Sequence, residues 1–414
     1  MGPRDKPPLF VADDKFPDVI AQLEARGWRR FPHEAFPKFD LKWSNYAKIP
    51  WSRVGLSQRV NHFFNAILLS RKDALALRLY ASSKEAADTF YPRTVHLVGT
   101  AERQTLLAWF LYSRALGVLL HVSRSPEPMH PATATAVTFL SRVLELEDFH
   151  SLWSSGLDLT ALELSSDQWK PLMTPWSSDE RPTAVAMARV EQIVSTLRER
   201  DPQFGVIEAG RGDVWICKPS NLSQGRGIHL LTDPNALLEL LGDMESDCQQ
   251  KNHTTEEAVT KASWIVQKYV ERPLLIRQRG GLYKFDVRQW VLITSLSPLK
   301  IYWHEKCYLR FCSQPFTLNE SSLGDSMTHL SNYSIQKNAG EKGGNDDGEN
   351  FDCMWHSARF QQLLRYSTPL GDEKTTHLTV VCVGKRTDVM YGRSPLFHKC
   401  SSQHAKRYTQ FCPS

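Results

Sequence analysis

Lys218-Pro-Ser-Asn-Leu-Ser-Gln-Gly-Arg-Gly-Ile228 follows a short apolar run, Val214-Trp-Ile-Cys-Lys218, so that a strand ending in lysine runs into a loop with two glycines. Glycine lets backbone N–H groups turn toward a ligand and come close to it, which suits phosphate oxygens. The loop is not a Walker loop, because no G-x-x-x-x-G-K-[ST] run occurs. Taken alone, the same residues also read as the turn of a plain β-hairpin, the commoner use of such a loop.

The strands downstream add charge to the same reading. In Lys284-Phe-Asp-Val-Arg-Gln-Trp290 a period of two puts Lys284, Asp286 and Arg288 on one face and Phe285 and Val287 on the other. That polar face suits a site for triphosphate and carboxylate, or equally a solvated face with surface ion pairs. Gln267-Lys-Tyr-Val270 ends another apolar run, where backbone groups could pair with an adenine edge and Lys268 could reach a ring nitrogen or phosphate. Tyr269 also reads as core filling. A strand over Lys300 to Phe311 would set Tyr302, His304, Lys306, Tyr308 and Arg310 on one polar face, with His304 a partly exposed strand residue rather than a catalyst or metal ligand.

Together with Trp264 to Val270 and a strand over Lys284 to Ser295, these runs describe a mixed α/β domain, with a helix opened by Asp233-Pro234 and closed at Gly242. Upstream, Phe10-Val-Ala12, a helix from Pro17 to Arg26 ending at Gly27, and Phe39 to Trp43 suggest a small α/β lobe reaching about residue 95. Leu106 to Val122, Ala132 to Leu146 and Thr183 to Arg200 have helical spacing, whereas Glu163 to Glu180 has no clear period. The hydrophilic run Ala339 to Asn350 reads as a flexible loop, Met354 to Leu364 as a helix, and His377 to Ser414 as a poorly specified tail. The expected division is a lobe at 1–100, a mainly helical connection at 101–200, a nucleotide- and substrate-binding core at 201–338, and a loop, one helix and tail at 339–414.

Composition sets the bounds. With 41% hydrophobic and 23% charged residues among 414, the balance is that of an ordinary globular protein of two or three packed units. A net charge of +5 favours an acidic partner without approaching a polycation, and no nucleic-acid motif accompanies it. The eight cysteines form no C-x-x-C pair, so neither a zinc ribbon nor a disulfide framework is indicated. The start of the chain has no apolar stretch of signal-peptide type, and Ser113 and Arg114 interrupt the longest apolar run. A cytosolic protein without a membrane partner is expected.

In order and spacing, Val214 to Pro219 with Ser223-Gln-Gly-Arg-Gly-Ile228, Gln267 to Val270, Lys284 to Arg288, Tyr308 to Phe311 and His329-Leu-Ser-Asn-Tyr-Ser-Ile-Gln-Lys337 resemble the tubulin tyrosine ligase-like family. Tyr308-Leu-Arg-Phe-Cys-Ser-Gln-Pro-Phe316 is especially similar to its glycine-ligating branch. Asp40 to Trp43, Val60 to Phe63, Ser70 to Lys72 and Phe90 to Arg93 agree more loosely.

The resemblance implies an ATP-grasp α/β fold holding ATP, with Mg²⁺, between two lobes. The implied reaction joins free glycine to glutamate side chains of acidic tubulin C-terminal tails through an acyl phosphate. It places the protein in the cytoplasm on the cytoskeleton, with the cilium or axoneme as a further location. Carried over by position, Lys218 would hold phosphates under a lid of Ser223, Gln224, Gly225, Arg226 and Gly227. Gln267, Lys268, Tyr269 and Val270 would form the adenine hinge, and Lys284, Asp286, Ser331 and Asn332 would complete the pocket. Arg288, Arg310 and Lys337 would bind the acceptor carboxylate, the intermediate or glycine. Gln224 replaces an arginine common in relatives, and Gly280-Gly-Leu-Tyr283 is a local insertion. The family's late Asp strand and Glu-x-Asn metal motif have no counterpart after residue 338, where Asp388-Val-Met-Tyr391 is a weak echo. A truncated or replaced C-terminal part and a catalytically inactive tubulin-binding relative both fit that departure, and a ligase acting on a small metabolite is a third alternative.

Overall fold

The computed structural model describes residues 6–33, 36–124, 132–146, 172, 187–233, 263–337 and 352–366. The chain divides into two compact units, Met1–Arg71 and Lys72–Ser414.

The first unit contains β1 (Leu9–Ala12), α1 (Pro17–Glu24), β2 (Arg29–Arg30), β3 (Leu41–Trp43), β4 (Arg59–Val60) and α2 (Ile67–Ser70). Its strands form a parallel sheet in the order β2-β1-β3-β4. Phe10 and Val11 are buried in β1, one of the two inner strands, as its apolar run anticipates. Pro17 opens α1, where its missing N–H costs nothing.

The second unit begins with α3 (Lys72–Ser82), α4 (Lys84–Asp88), β5 (Thr94–Leu97), α5 (Thr100–Arg124), α6 (Thr133–Glu145), α7 (Met187–Arg200), β6 (Trp215–Pro219), β7 (His229–Leu231) and β8 (Trp264–Lys268). The boundary of the first unit therefore falls earlier than the expected residue 95 to 100. The reason is pairing: β5 joins β8 antiparallel in a sheet of order β5-β8-β6-β7.

This sheet has two unlike faces. Trp215, Cys217, Trp264 and Val266 point to one side and pack with Trp109, Leu116, Phe139, Leu140, Val190 and Ile193 of α5, α6 and α7. The expected helical connection is thus the main core of this unit. On the other side, Val214, Ile216 and Tyr269 gather Ile228, Leu230, Phe316 and Leu330.

One segment of α5, Ala101–Arg124, is long and apolar enough by composition to cross a membrane, and 83% of its apolar window is buried inside the fold. That burial is what a core helix shows. Arg114, which interrupts its apolar run, donates to the carbonyl of Gly210 at 3.0 Å and to that of Leu172 at 3.3 Å. The helix and the turn before β6 meet backbone to backbone. A Cβ on Gly117 would stand 1.8 Å from the Arg211 carbonyl oxygen, and one on Gly212 would stand 2.0 Å from that of Ser113.

A buried ion cluster ties the start of β5 to the helices. Arg93 donates to Asp201 Oδ1 at 2.6 Å and Asp88 Oδ2 at 3.2 Å, and its guanidinium lies 3.9 Å from the centre of the Trp109 ring. Burial alone would lower the Arg93 pKa, but Asp201 and Asp88 outweigh it and hold the group charged.

The unit continues with β9 (Leu275–Gln278), β10 (Gly281–Arg288), β11 (Val291–Leu296), β12 (Leu299–Trp303), β13 (Tyr308–Phe311), α8 (Glu320–Leu323), α9 (Ser326–His329), α10 (Tyr333–Gln336), β14 (Met354–His356) and α11 (Ser357–Tyr366). β14-β13-β10-β9 form an antiparallel sheet, and β11 and β12 a separate ribbon. The alternation expected in β10 holds: Phe285 and Val287 pack against Leu309, Phe311, Trp355 and Phe360.

Three expected elements differ. The expected strand Lys284–Ser295 breaks at Gln289-Trp290 into β10, which pairs with β13, and β11, which pairs with β12, and at the break the Gln289 side chain donates to the carbonyls of Trp290 and His304. The expected strand Lys300–Phe311 breaks at His304 to Cys307, so Tyr302 belongs to the ribbon and does not share a face with Tyr308 and Arg310. The expected helix Met354–Leu364 begins as β14, paired to β13, before turning helical at Ser357. The Gly280-Gly-Leu-Tyr283 insertion forms the end of a turn, with positive φ at Arg279 and Gly280, and the start of β10. The expected helix from Asp233 to Gly242, the aperiodic Glu163–Glu180 stretch apart from Leu172, the Ala339–Asn350 loop and the tail from residue 367 lie outside the described residues, and with them the truncated or replaced C-terminal part.

Candidate nucleotide site

The polar end of the β6-β8 face is where the lysines converge. Ile216 faces Gln267 across the ladder, so the side chain of Lys218, two residues on, falls beside Gln267 on the same face. Lys218 Nζ donates to Gln267 Oε1 at 2.6 Å, and Gln267 in turn donates to Thr94 Oγ1 at 2.7 Å, which fixes its amide orientation. Burial, reinforced by the Lys72 and Lys284 charges, lowers the Lys218 pKa to about 7. Burial likewise lowers Lys284 to about 8. Neither lysine forms an ion pair among the described residues.

Between β6 and β7 the loop takes left-handed conformations at Gln224, Gly225 and Gly227. Gly225, at φ +81°, is packed against α10: a Cβ there would lie 2.4 Å from Ile335 Cδ1 and 3.5 Å from Asn332 Oδ1. Ser334 Oγ donates to the Gln224 carbonyl at 2.8 Å. Ser223 is half-buried, whereas Gln224, Arg226 and Gly227 are exposed, and Arg226 folds back onto the Ser223 carbonyl. Two further bonds come from a residue given no role by its sequence context. Lys72, the first residue of α3, donates to the carbonyls of Pro219 and Leu222, each at 2.6 Å.

Lys284 comes from the second sheet. Its ammonium donates to Tyr269 Oη at 2.7 Å and to the His329 carbonyl at 2.9 Å, so the β10 strand, the hinge segment and α9 meet at one nitrogen. Tyr269 Oη is also 2.9 Å from His329 Nδ1. Burial lowers the His329 pKa to about 4, with the Lys284 charge acting the same way.

The expected hinge is brought to the site in part. Lys268 is buried against Glu271 and donates to the Val214 carbonyl at 2.7 Å, so its amine does not face a ligand as expected. Glu271 also accepts from the amides of Glu208, Gly212 and Val214, which accounts for a charged pair inside the fold. The amides of Lys268, Tyr269 and Glu271 donate to the carbonyls of Arg93, Val214 and Val206. Val270 N–H is not so engaged among the described residues.

Asp286 pairs with the arginines and reaches Lys284 only through its charge. Directly opposite Arg310 across the ladder, it accepts from Arg310 Nε at 2.8 Å and from Nη2, with Arg288 Nε at 3.6 Å. Ser331 and Asn332 are half-buried between α9 and α10, Asn332 beside the glycine loop. Lys337 is exposed at the end of α10.

Magnesium would need a set of oxygen ligands. Among the described residues there is no group of three or more His, Cys, Asp or Glu side chains that could hold a metal, and Asp286 is committed to two arginines. The described residues do not fit the ion.

Fold and site together define an α/β chain whose lysines converge on a glycine loop. Residues 178–369 match the Tubulin-tyrosine ligase family, which has an ATP-grasp-like α/β fold. The chain is 28% identical to tubulin monoglycylase TTLL3 of Danio rerio over 348 residues, 75% of this chain and 42% of that protein. It is 25% identical to tubulin glycylase 3C of Tetrahymena thermophila over 426 residues, 86% of this chain and 38% of that protein. Tubulin glycylase 3A of Drosophila melanogaster is 35% identical over 173 residues, 42% of this chain and 15% of that protein. Residues 178–369 thus resemble the Tubulin-tyrosine ligase family, and over most of its length the chain is similar to tubulin glycylases. It spans about two fifths of the length of the first of these relatives.

Proposed function

We propose that this chain binds ATP at Lys218, Lys284 and the 220–227 loop, and that it ligates glycine to glutamate side chains of tubulin tails. The observation that carries the reading is the convergence of two lysines without ion pairs, depressed to about 7 and about 8, on a loop of left-handed residues. Bringing like charges together out of water is costly unless a polyanion neutralises them. A triphosphate does so, with Val270 N–H meeting the adenine edge.

In the reaction, a glutamate carboxylate oxygen attacks the γ-phosphorus and ADP leaves. The glycine amine then attacks the acyl carbon, phosphate leaves, and the amine gives its proton to solvent. Lys218 and Lys284 would hold the charge shared by ATP and carboxylate through N–H donors aimed at oxygen. Arg288, Arg310 and Lys337 would hold the acceptor carboxylate, the intermediate or glycine. Asp286 pairs with the two arginines, and with Lys284 beside them the group stays net positive, which suits an acidic tail, in keeping with the net charge of +5. The cytoskeleton, and the cilium, are the corresponding locations.

A second reading, a relative that binds nucleotide and tubulin without ligating, is favoured by one observation: the described residues gather no metal ligands. Incubation of the chain with tubulin, ATP, Mg²⁺ and labelled glycine separates the two. Glycine incorporation that is lost in Lys218→Ala supports ligation. Incorporation of serine or glutamate instead contradicts the glycine assignment, and microtubule co-sedimentation without incorporation favours the second reading.

A further inference from the structure

We propose that His329, acting through the Tyr269 hydroxyl, is a positioning residue that fixes the Lys284 ammonium in the nucleotide pocket. The inference rests on the ATP reading above and deepens it.

The direction of each hydrogen bond follows from what the groups can do. An ammonium only donates, so in the 2.7 Å contact Tyr269 Oη accepts from Lys284. The tyrosine proton is then available to His329 Nδ1, 2.9 Å away. Nδ1 must be unprotonated to accept it, which places the imidazole proton on Nε2. Burial keeps His329 neutral near pH 7, in agreement with that order.

His329 Nε2 is buried and forms no hydrogen bond of good geometry among the described residues, although the Ser322 backbone lies close enough to favour the protonated ring. An imidazole kept in one tautomer with its far N–H met only weakly, by the Ser322 backbone, is a poor choice for filling space, where an apolar ring leaves nothing unsatisfied. What the arrangement gains is a single orientation. The ring is held edge-on to Tyr269 and Phe316, with centroids 5.6 and 5.9 Å away, and its own residue's carbonyl takes a second proton from Lys284 at 2.9 Å. His329 therefore grips the ammonium twice, once directly and once through the tyrosine. Two of the three Lys284 protons are used within the protein, which aims the third. The charged groups facing His329 are Lys284 and Asp325, the residue that caps α9 through the Met327 amide.

Titration of ATP into the full chain, followed calorimetrically, tests this in Tyr269→Phe, His329→Leu and His329→Asn. Tyr269→Phe removes one oxygen and is expected to weaken ATP binding about tenfold, the effect of losing one charge-assisted hydrogen bond. His329→Leu should weaken it to a similar degree. His329→Asn, whose Oδ1 can stand in for Nδ1, should remain within about threefold of the unaltered chain. Unchanged affinity in Tyr269→Phe overturns the proposal while leaving the ATP reading in place. So does a loss in His329→Leu that His329→Asn does not restore, which marks a packing role. If His329→Leu does not fold, Tyr269→Phe decides. Failure of the unaltered chain to bind ATP overturns the ATP reading and this proposal with it.

Discussion

Lys218 Nζ lies 2.6 Å from Gln267 Oε1, a neutral acceptor where a carboxylate would be the commoner partner of a buried amine. The amide orients the lysine without neutralising it. Gln267→Leu should therefore lower the Lys218 pKa further and weaken ATP binding by about threefold to tenfold, since the amine loses the one acceptor it has among the described residues. Calorimetric titration at pH 7 reads the change.

The same desolvation makes nucleotide binding depend on pH. Lys218 and Lys284 lose their protons near 7 and 8 in the free protein, so ATP affinity should fall as pH rises from 7.5 to 9, and less steeply in Lys218→Met. Stability should move the opposite way. Unfolded lysine keeps its proton up to about 10.4, so between pH 7 and about 10 the unfolded chain binds more protons and stability from these groups rises with pH. Urea midpoints across that window measure it, and Lys218→Met should flatten the rise.

Lys72 holds the carbonyls of Pro219 and Leu222. Lys72→Met should loosen the loop and weaken ATP binding about fivefold, with a smaller effect on stability, because the lost bonds are partly solvated. An unchanged affinity would show that the loop keeps its form without the clamp.

At Gly225, alanine meets two obstacles, a φ of +81° and the Ile335 Cδ1 atom. The backbone penalty alone is about 1–2 kcal/mol. Gly225→Ala is expected to weaken ATP binding at least tenfold. Ile335→Val, which deletes Cδ1, should restore part of the loss in the double variant, leaving the backbone contribution.

Arg93 is the strongest stability prediction. Arg93→Met leaves Asp88 and Asp201 buried without their cation, and removal of one partner from such a cluster costs about 3–5 kcal/mol. Urea unfolding of the two proteins gives the difference. A loss under 1 kcal/mol would mean that the two carboxylates find other partners or take up protons.

What could be read from the sequence was local. The alternation in β10 follows from the period of two, and the structure keeps it, while Lys218 lies in β6 with the strand running one residue further, to Pro219. Contacts that close over long separations left no local mark. Lys72 meets a loop 147 residues away, and Tyr269 meets His329 across 60. The burial of Lys268 leaves no mark in the sequence, because its partner, Glu271, stands three residues on in a segment with no pattern of its own. The breaks at Gln289-Trp290 and at His304 were hidden because aromatic and β-branched residues flank both, with no glycine or proline to mark them. Likewise, the pairing that brings Thr94–Leu97 into the second unit is not written in that strand's own residues.

The central claim, that ATP lies against the β6-β8 face beneath the glycine loop, is tested most directly by photolabelling the full chain with 8-azido-ATP and mapping the modified peptides. The account predicts label confined to residues 214–231, 264–284 or 326–337, abolished by excess ATP and strongly reduced in Lys218→Ala. Label in the first unit, or label that excess ATP does not displace, would contradict it.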